Sequence, residues 1–211
     1  MNTETINKSS ILSLKNKNDE KVLVKTSVYS KLYHLINEGN EHAIELFDYF
    51  IEKENLDINY VGTFWTSLLC FSIFMKEEKI AIYLIEKGAN VRYMDPSGLT
   101  ALNYCVAKIG QEKNGFKPRE DIEMAKVLIV LMSKGANLVH KNPLNGFFPA
   151  REAHLCGYEI LYKLINNKIS NINKNPEKYP IQSKEIMNFM FDESNFDICP
   201  DDTGPTNVGF P

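Results

Sequence analysis

One short segment occurs twice in this chain: Lys87-Gly88-Ala89-Asn90-Val91 returns as Lys134-Gly135-Ala136-Asn137-Leu138. Each copy closes an apolar run of helical character, Ile80 to Ile85 before the first and Val127 to Met132 before the second. Seven residues after each Gly a turn-rich segment opens, Asp95-Pro96-Ser97-Gly98 in one case and Asn142-Pro143-Leu144-Asn145-Gly146 in the other. A second amphipathic stretch follows both, Asn103 to Ile109 and Arg151 to Cys156. A self-similar chain does not gather into one round core. It builds small supersecondary units, each too small to hide its apolar face alone, which bury that face by stacking on their neighbours.

The local chemistry of the unit is legible. Gly88 and Gly135 stand where a helix C-terminus takes a left-handed residue, a conformation Gly adopts without a Cβ penalty. Lys87 and Lys134 lie in the last turn, where a cation complements the helix dipole. Thr100 precedes a helical pattern and is placed to cap free backbone N–H groups, and Ser97-Gly98 and Asn145-Gly146 supply turns. The unit therefore reads helix, Gly-ended stop, turn, short helix, connector, helix.

These residues resemble ankyrin repeats, whose unit of about 33 residues carries a Thr-Pro-Leu-His-x-Ala turn-helix and a later Gly-Ala followed by Asp or Asn. The best copy is Asp95-x-x-Gly98-x-Thr100-Ala101-Leu102, ending in Gly135-Ala136-Asn137. The next has Gly146-x-Phe148-Pro149-Ala150, then Ala153 and Gly157-Tyr158-Glu159, and an earlier one has Thr66-Ser67-Leu68 and ends at Gly88. A weaker first unit runs from Leu32 to Ile51, with Leu56-Asp57-Ile58-Asn59 in place of the Gly-Ala-Asp segment. The resemblance covers residues 27–169, in repeats of about 27–60, 61–94, 95–142 and 143–169, and implies an all-α ankyrin-repeat solenoid with irregular N- and C-terminal caps.

Spacing refines this. Thr66 and Thr100 lie 34 positions apart, but Thr100 to Gly135 is 35 against 22 from Thr66 to Gly88, so the third unit carries about 13 extra residues. The surplus falls on 110–119, with two Gly, one Pro and no apolar period, which predicts a loop before a helix opening near Arg119-Glu120-Asp121. Leu69, Asn103 and Arg151 replace the His after Thr-Pro-Leu, so weaker polar links between consecutive turns are expected. Residues 1–26 read as a polar arm or loose cap. Residues 170–211 begin polar and then offer a helix in which Ile186, Phe189 and Met190 share a face widened by Met187 and Phe191, predicted to cover the apolar edge of the last repeat. Asp192 to Pro211, with five acidic residues and three Pro, reads as a flexible tail.

Several functions lose their footing. The four Cys at 70, 105, 156 and 199 are too scattered for a zinc or redox motif, and Cys70, Cys105 and Cys156 are expected to be buried small hydrophobes. The four His (34, 42, 140 and 154) form no ligand pattern, and no nucleophile-elbow, P-loop or dinucleotide fingerprint occurs, so neither an enzyme, a metal nor a cofactor is expected. Lys plus Arg total 24 against 27 Asp plus Glu, a balance unlike that of a dedicated nucleic-acid binder. No apolar run approaches the ~20 residues of a membrane span, and the polar start is not a signal peptide, which places the expected location in the cytoplasm. Of the basic residues 21 are Lys, and Asn occurs 22 times, which reads as a genome-composition effect.

The resemblance implies recognition of a protein partner through turn tips and the concave face of the first helices, by a chain expected to be monomeric when free. The position before the family Thr is Trp65, Leu99 and Phe147. The tips hold Tyr60, then Arg92, Tyr93 and Met94, then His140 and Lys141. Packing against neighbouring turns is the alternative for Trp65 and Phe147, exposure is favoured for Tyr93, and His140 reads as a solvated turn residue. Phe116, alone among polar neighbours, makes the insertion either a recognition loop or decoration. Within the partner-binding class, a small bacterial immunity protein blocking a toxin is the sharper reading. An effector delivered into a host cell, a small enzyme or ligand binder, and a self-assembling structural protein are the alternatives.

Overall fold

A computed structural model of the chain describes residues 18–37, 42–53, 55–62, 66–109 and 122–192. Every regular element among them is a helix: α1 (Asn18–Asn37), α2 (Ala43–Lys53), α3 (Leu68–Phe74), α4 (Glu78–Glu86), α5 (Ala101–Lys108), α6 (Ile122–Ser133), α7 (Pro149–Leu155), α8 (Glu159–Lys174) and α9 (Pro180–Phe191). The all-α expectation is met. Consecutive helices pair, α1 with α2 through α7 with α8, and neighbouring pairs touch like with like. One row therefore runs α1, α3, α5, α7 and the other α2, α4, α6, α8. The core is a strip between the rows, with Leu32, Phe47, Ile73, Leu84, Leu102, Leu128 and Ile165 all fully or almost fully buried. Along the second row, Asp48 accepts from Lys87 and from the Tyr83 hydroxyl, each at 2.7 Å, tying α2 to α4.

Side-chain caps open α3 and α5. The Ser67 hydroxyl accepts the Cys70 N–H at 3.1 Å and opens α3. At α5, Thr100 Oγ1 accepts from Asn103 N while Asn103 Oδ1 accepts from Thr100 N, a reciprocal box that satisfies two orphan donors. Pro149 occupies the first turn of α7, where its missing N–H costs nothing. At the far end, Gly88 and Gly135 take φ of +93° and +89°, and Asn55 fills the matching place after α2 at +52°. Asn is among the few residues with a Cβ that visit this region readily, which explains how the first unit dispenses with Gly.

The structure moves one register. Ser67, not Thr66, caps α3, so cap-to-cap spacing to Thr100 is 33, the same as Asn55 to Gly88. The isolated bridges Val61–Ser67 and Met94–Thr100 repeat at that interval. So does a side-chain-to-backbone bond, in which Asp57 and Asn90 each accept the N–H two residues on, as Asn137 does in the next unit. Thr66, rather than Trp65, therefore aligns with Leu99 and Phe147, and Cys70, rather than Leu69, holds the third helical position with Asn103 and Arg151. Of the adjacent hydroxyls at 66 and 67, it is that of Ser67 that accepts from Cys70 N, and Ser67 also forms the bridge to Val61. The surplus of the third unit rises to 14 residues; the loop predicted at 110–119 and the helix start at 119–121 lie outside the described residues.

Both ends depart from expectation. Helix α1 reaches back to Asn18, so the arm read at 1–26 is helical over its last part, and residues 1–17 lie outside the description. Helix α8 continues through the polar stretch at 170 as far as Lys174, because Ile169 and Ile172 extend the buried stripe of Leu161 and Ile165. Helix α9 rests on α8 but also reaches the turn segments. Gln182 Nε2 donates to the Ala136 carbonyl at 2.9 Å, Phe189 meets the Phe148 ring edge-on at 4.9 Å, and Glu185 forms a two-point ion pair with Arg92. Its inner face is thus Gln182, Ser183, Ile186 and Phe189, whereas Met187, Met190 and Phe191 stay exposed. The predicted shared face holds for Ile186 and Phe189 only, since the polar anchors at 182 and 185 set the rotation of the helix. Leu155 and Ile160, at the edge it was expected to cover, remain exposed. Of the tail expected to be flexible, 193–211 lies outside the described residues.

Candidate protein interface

Three turn segments open onto the first-helix row, and each is braced by a side chain beneath it. Asp95 Oδ1 accepts from the N–H groups of Ser97 (2.8 Å) and Leu99 (3.0 Å), and its Oδ2 accepts from the Tyr104 hydroxyl at 2.5 Å. In the following unit Asn142 Oδ1 accepts from Leu144 N, while Asn142 and Asn145 donate their amides to Glu152. Tyr104 and Glu152 occupy the same place, four residues after their caps. Phe71 holds that place in the unit before, and there the brace comes from α1: the Tyr33 hydroxyl donates to the Thr66 carbonyl at 2.5 Å and accepts from Gly62 N.

Consecutive turns are also tied to each other. Asn90 N donates to Asn59 Oδ1 at 2.7 Å, a His140 ring nitrogen meets the Gly98 carbonyl at 2.8 Å, and Asn103 Nδ2 donates to the His140 carbonyl at 3.4 Å. A Cβ at Gly98, whose φ is +77°, would meet Pro143 Cγ at 2.9 Å. The weak inter-turn links expected from the missing family His are therefore supplied by other residues, Asn103 among them.

Burial dominates the electrostatics. It raises the Tyr104 hydroxyl well above its ordinary value, aided by Asp95, and pushes Tyr33 up to about 12. Burial also raises Glu152, against the lowering effect of its two Asn donors. A carboxylate whose pKa is higher folded than unfolded favours the fold when protonated, and that contribution is lost as pH rises from the ordinary value of 4.5 through the raised one. Wild type should therefore lose stability relative to Glu152→Gln across this window, measured by urea midpoints at several pH values. A difference independent of pH would contradict the assignment.

The candidate binding residues divide. Trp65 and Phe116 lie outside the described residues. Tyr60 stacks on Tyr29, ring centroids 3.6 Å apart, and Tyr93, one period later, is half-buried against the core rather than exposed. Arg92 is engaged by Glu185, and His140 braces Gly98 rather than facing solvent alone. These four serve the fold, because a tip that must stack on the next tip has its larger side chains drawn inward. Leu99, Lys141 and Phe147 are half-buried, Phe147 with the Arg151 guanidinium over its ring at 5.4 Å. Met94 is 54% exposed.

Leu144 and Phe74 are among the exposed apolar residues that escaped the sequence reading. Leu144, in the turn after Asn142, is 75% exposed, and Phe74, at the end of α3, is 47% exposed. An apolar residue set within Pro-Leu-Asn-Gly was a usable signal for the first. Phe74 was hidden by the register at Thr66. Its ring lies beneath the Lys108 ammonium at 3.8 Å and stands perpendicular to Tyr104. Of the cysteines, Cys70 and Cys105 are buried as expected, with burial pushing the Cys70 thiol up to about 11. Cys156, the C-cap of α7, is exposed, contrary to expectation.

Among the described residues no cluster of three or more His, Cys, Asp or Glu side chains could hold a metal ion, and no helix is long and apolar enough to cross a membrane. No protein-family model matches the chain, and no curated protein matches it significantly.

Proposed function

We propose that the chain is an ankyrin-type repeat protein that recognises one protein partner through its turn tips and the face of its first-helix row. The 33-residue recurrence of caps, bridges and Asn or Asp turn bonds supports the repeat reading, as does the pairing of helices into two rows. The observation that carries the binding reading is the exposure of Met94 and Leu144 on consecutive turns whose backbones are held by Asp95, Asn142 and Glu152. Large apolar side chains on pre-ordered turns lose little entropy on contact, and a cluster of them marks an interaction surface.

The test is capture from native lysate on the tagged chain, alongside the double variant Met94→Asp, Leu144→Asp. Wild type should retain one stoichiometric partner and the variant should lose it, at unchanged helicity by circular dichroism. Retention by the variant would sink the placement of the interface, and recovery of self-copies alone would favour a structural assembly. A captured toxin whose activity is suppressed would establish the immunity form of this reading, and a host protein the effector form.

A further inference from the structure

Helix α9 carries apolar side chains on two sides. Opposite the buried Gln182 and Ile186, an outer face presents Ile181, Lys184, Met187, Asn188 and Phe191, all exposed, Phe191 at 80%. Their spacing of three, six, seven and ten residues from Ile181 keeps them on one side of the helix. No carboxylate joins this face, since Glu185 is turned to Arg92. Cations stand at its N-terminal end: Lys174 closes α8 and Lys178 lies in the connecting turn, where Glu177 is the sole carboxylate. Neither of them, nor Lys184, forms an ion pair among the described residues. The chain then runs on from the other end of the same face. Residues 193–211 hold Glu193, Asp197, Asp201 and Asp202 but no Lys, Arg or His, and their first apolar residues are Phe196 and Ile198.

We propose that the chain's own segment 193–202 returns along the outer face of α9, with Phe196 and Ile198 on Met187 and Ile181 and with Asp201 and Asp202 beside Lys178 and Lys174. The lengths agree. The 12 residues of α9 span ~18 Å. Asp192-Glu193-Ser194-Asn195 has the composition of a reversing turn, and Phe196 to Asp201 cover ~20 Å when extended. Extended backbone also puts Phe196 and Ile198 on the same side. The tether makes the contact intramolecular, so a short loop closes at little entropic cost and at high effective concentration. A second copy is disfavoured on this face, because two-fold apposition sets the Lys184 of one copy towards that of the other. The placement concerns the terminal helix alone and does not depend on partner recognition.

A nitroxide on Cys199 of the full chain tests this. Cys70 and Cys105 are buried, so Cys156→Ser leaves Cys199 as the reactive thiol. In nitrogen-15 amide spectra Ile181 and Gln182, at the end of α9 away from Phe191, should lose intensity to the label. Phe196→Ser with Ile198→Ser should restore at least half of that loss, and so should Lys174→Glu with Lys178→Glu, at unchanged circular dichroism. No loss at these amides overturns the proposal. So does a loss that either double variant leaves in place, as a merely tethered segment would give. Mixing labelled chain with unlabelled nitrogen-15 chain should leave the same amides intact; broadening there would put a second copy's segment on the face and overturn the intramolecular placement.

Discussion

Leu102→Ala should cost about 2–5 kcal/mol, the range for deleting a fully buried leucine side chain and leaving part of the cavity unfilled. Leu102 is wholly buried in α5, which packs against α3 on one side, α7 on the other and α6 behind. In a stack of units the stability is a sum of unit and interface contributions, so a central cavity weakens two interfaces at once. Urea denaturation followed by circular dichroism should show a lower midpoint and a broader transition as the two halves lose their coupling. Ile186→Ala in the terminal helix α9 should cost less and leave the main transition sharp. A loss under about 1 kcal/mol at Leu102 would contradict a core that runs continuously between the rows.

Asp95→Ala should cost about 2–4 kcal/mol, because it deprives three donors of their acceptor at once. Asp95 is largely buried, and the N–H groups of Ser97 and Leu99 and the Tyr104 hydroxyl all point at it. Tyr104→Phe alone should cost about 1 kcal/mol, and in the Asp95→Ala background much less, since the lone hydroxyl then has no acceptor to lose. The four urea midpoints of this cycle measure the coupling. Additive losses would mean that Asp95 acts only on its own turn. Because Met94 adjoins Asp95, loosening this turn should also weaken partner capture, whereas Asp95→Asn, which keeps one acceptor oxygen, should preserve more of both.

How much of the candidate interface was legible depends on how far each residue's contacts reach. The exposure of Met94 was legible because apolar exposure at a turn tip follows from local turn chemistry. Tyr60, Tyr93 and His140 looked equivalent to it in sequence, yet each is taken up by contacts beyond its own turn: Tyr60 by Tyr29, Tyr93 by the core and His140 by Gly98. Arg92 is taken by Glu185, 93 residues away, a pairing no repeat pattern announces. Phe74 and Leu144 were missed for opposite reasons, one through a slip of register and the other because an apolar residue inside a turn was read as part of the turn.

The sequence by itself determined the all-α class, the succession of helix, stop and turn, and the capping at Thr100, Gly88 and Gly135, since these depend on contacts within a few residues. Tertiary structure alone decided that Ser67 rather than Thr66 begins α3, that Glu152 and Tyr104 brace neighbouring turns from the same place in the unit, and that α9 turns Gln182 and Ser183 inward while leaving Met190 and Phe191 in solvent. The physical reason is the same in each case. A cap or a left-handed Gly is selected by backbone geometry that the residue itself supplies, whereas register, exposure and the rotation of a docked helix are selected by partners that only folding brings within reach.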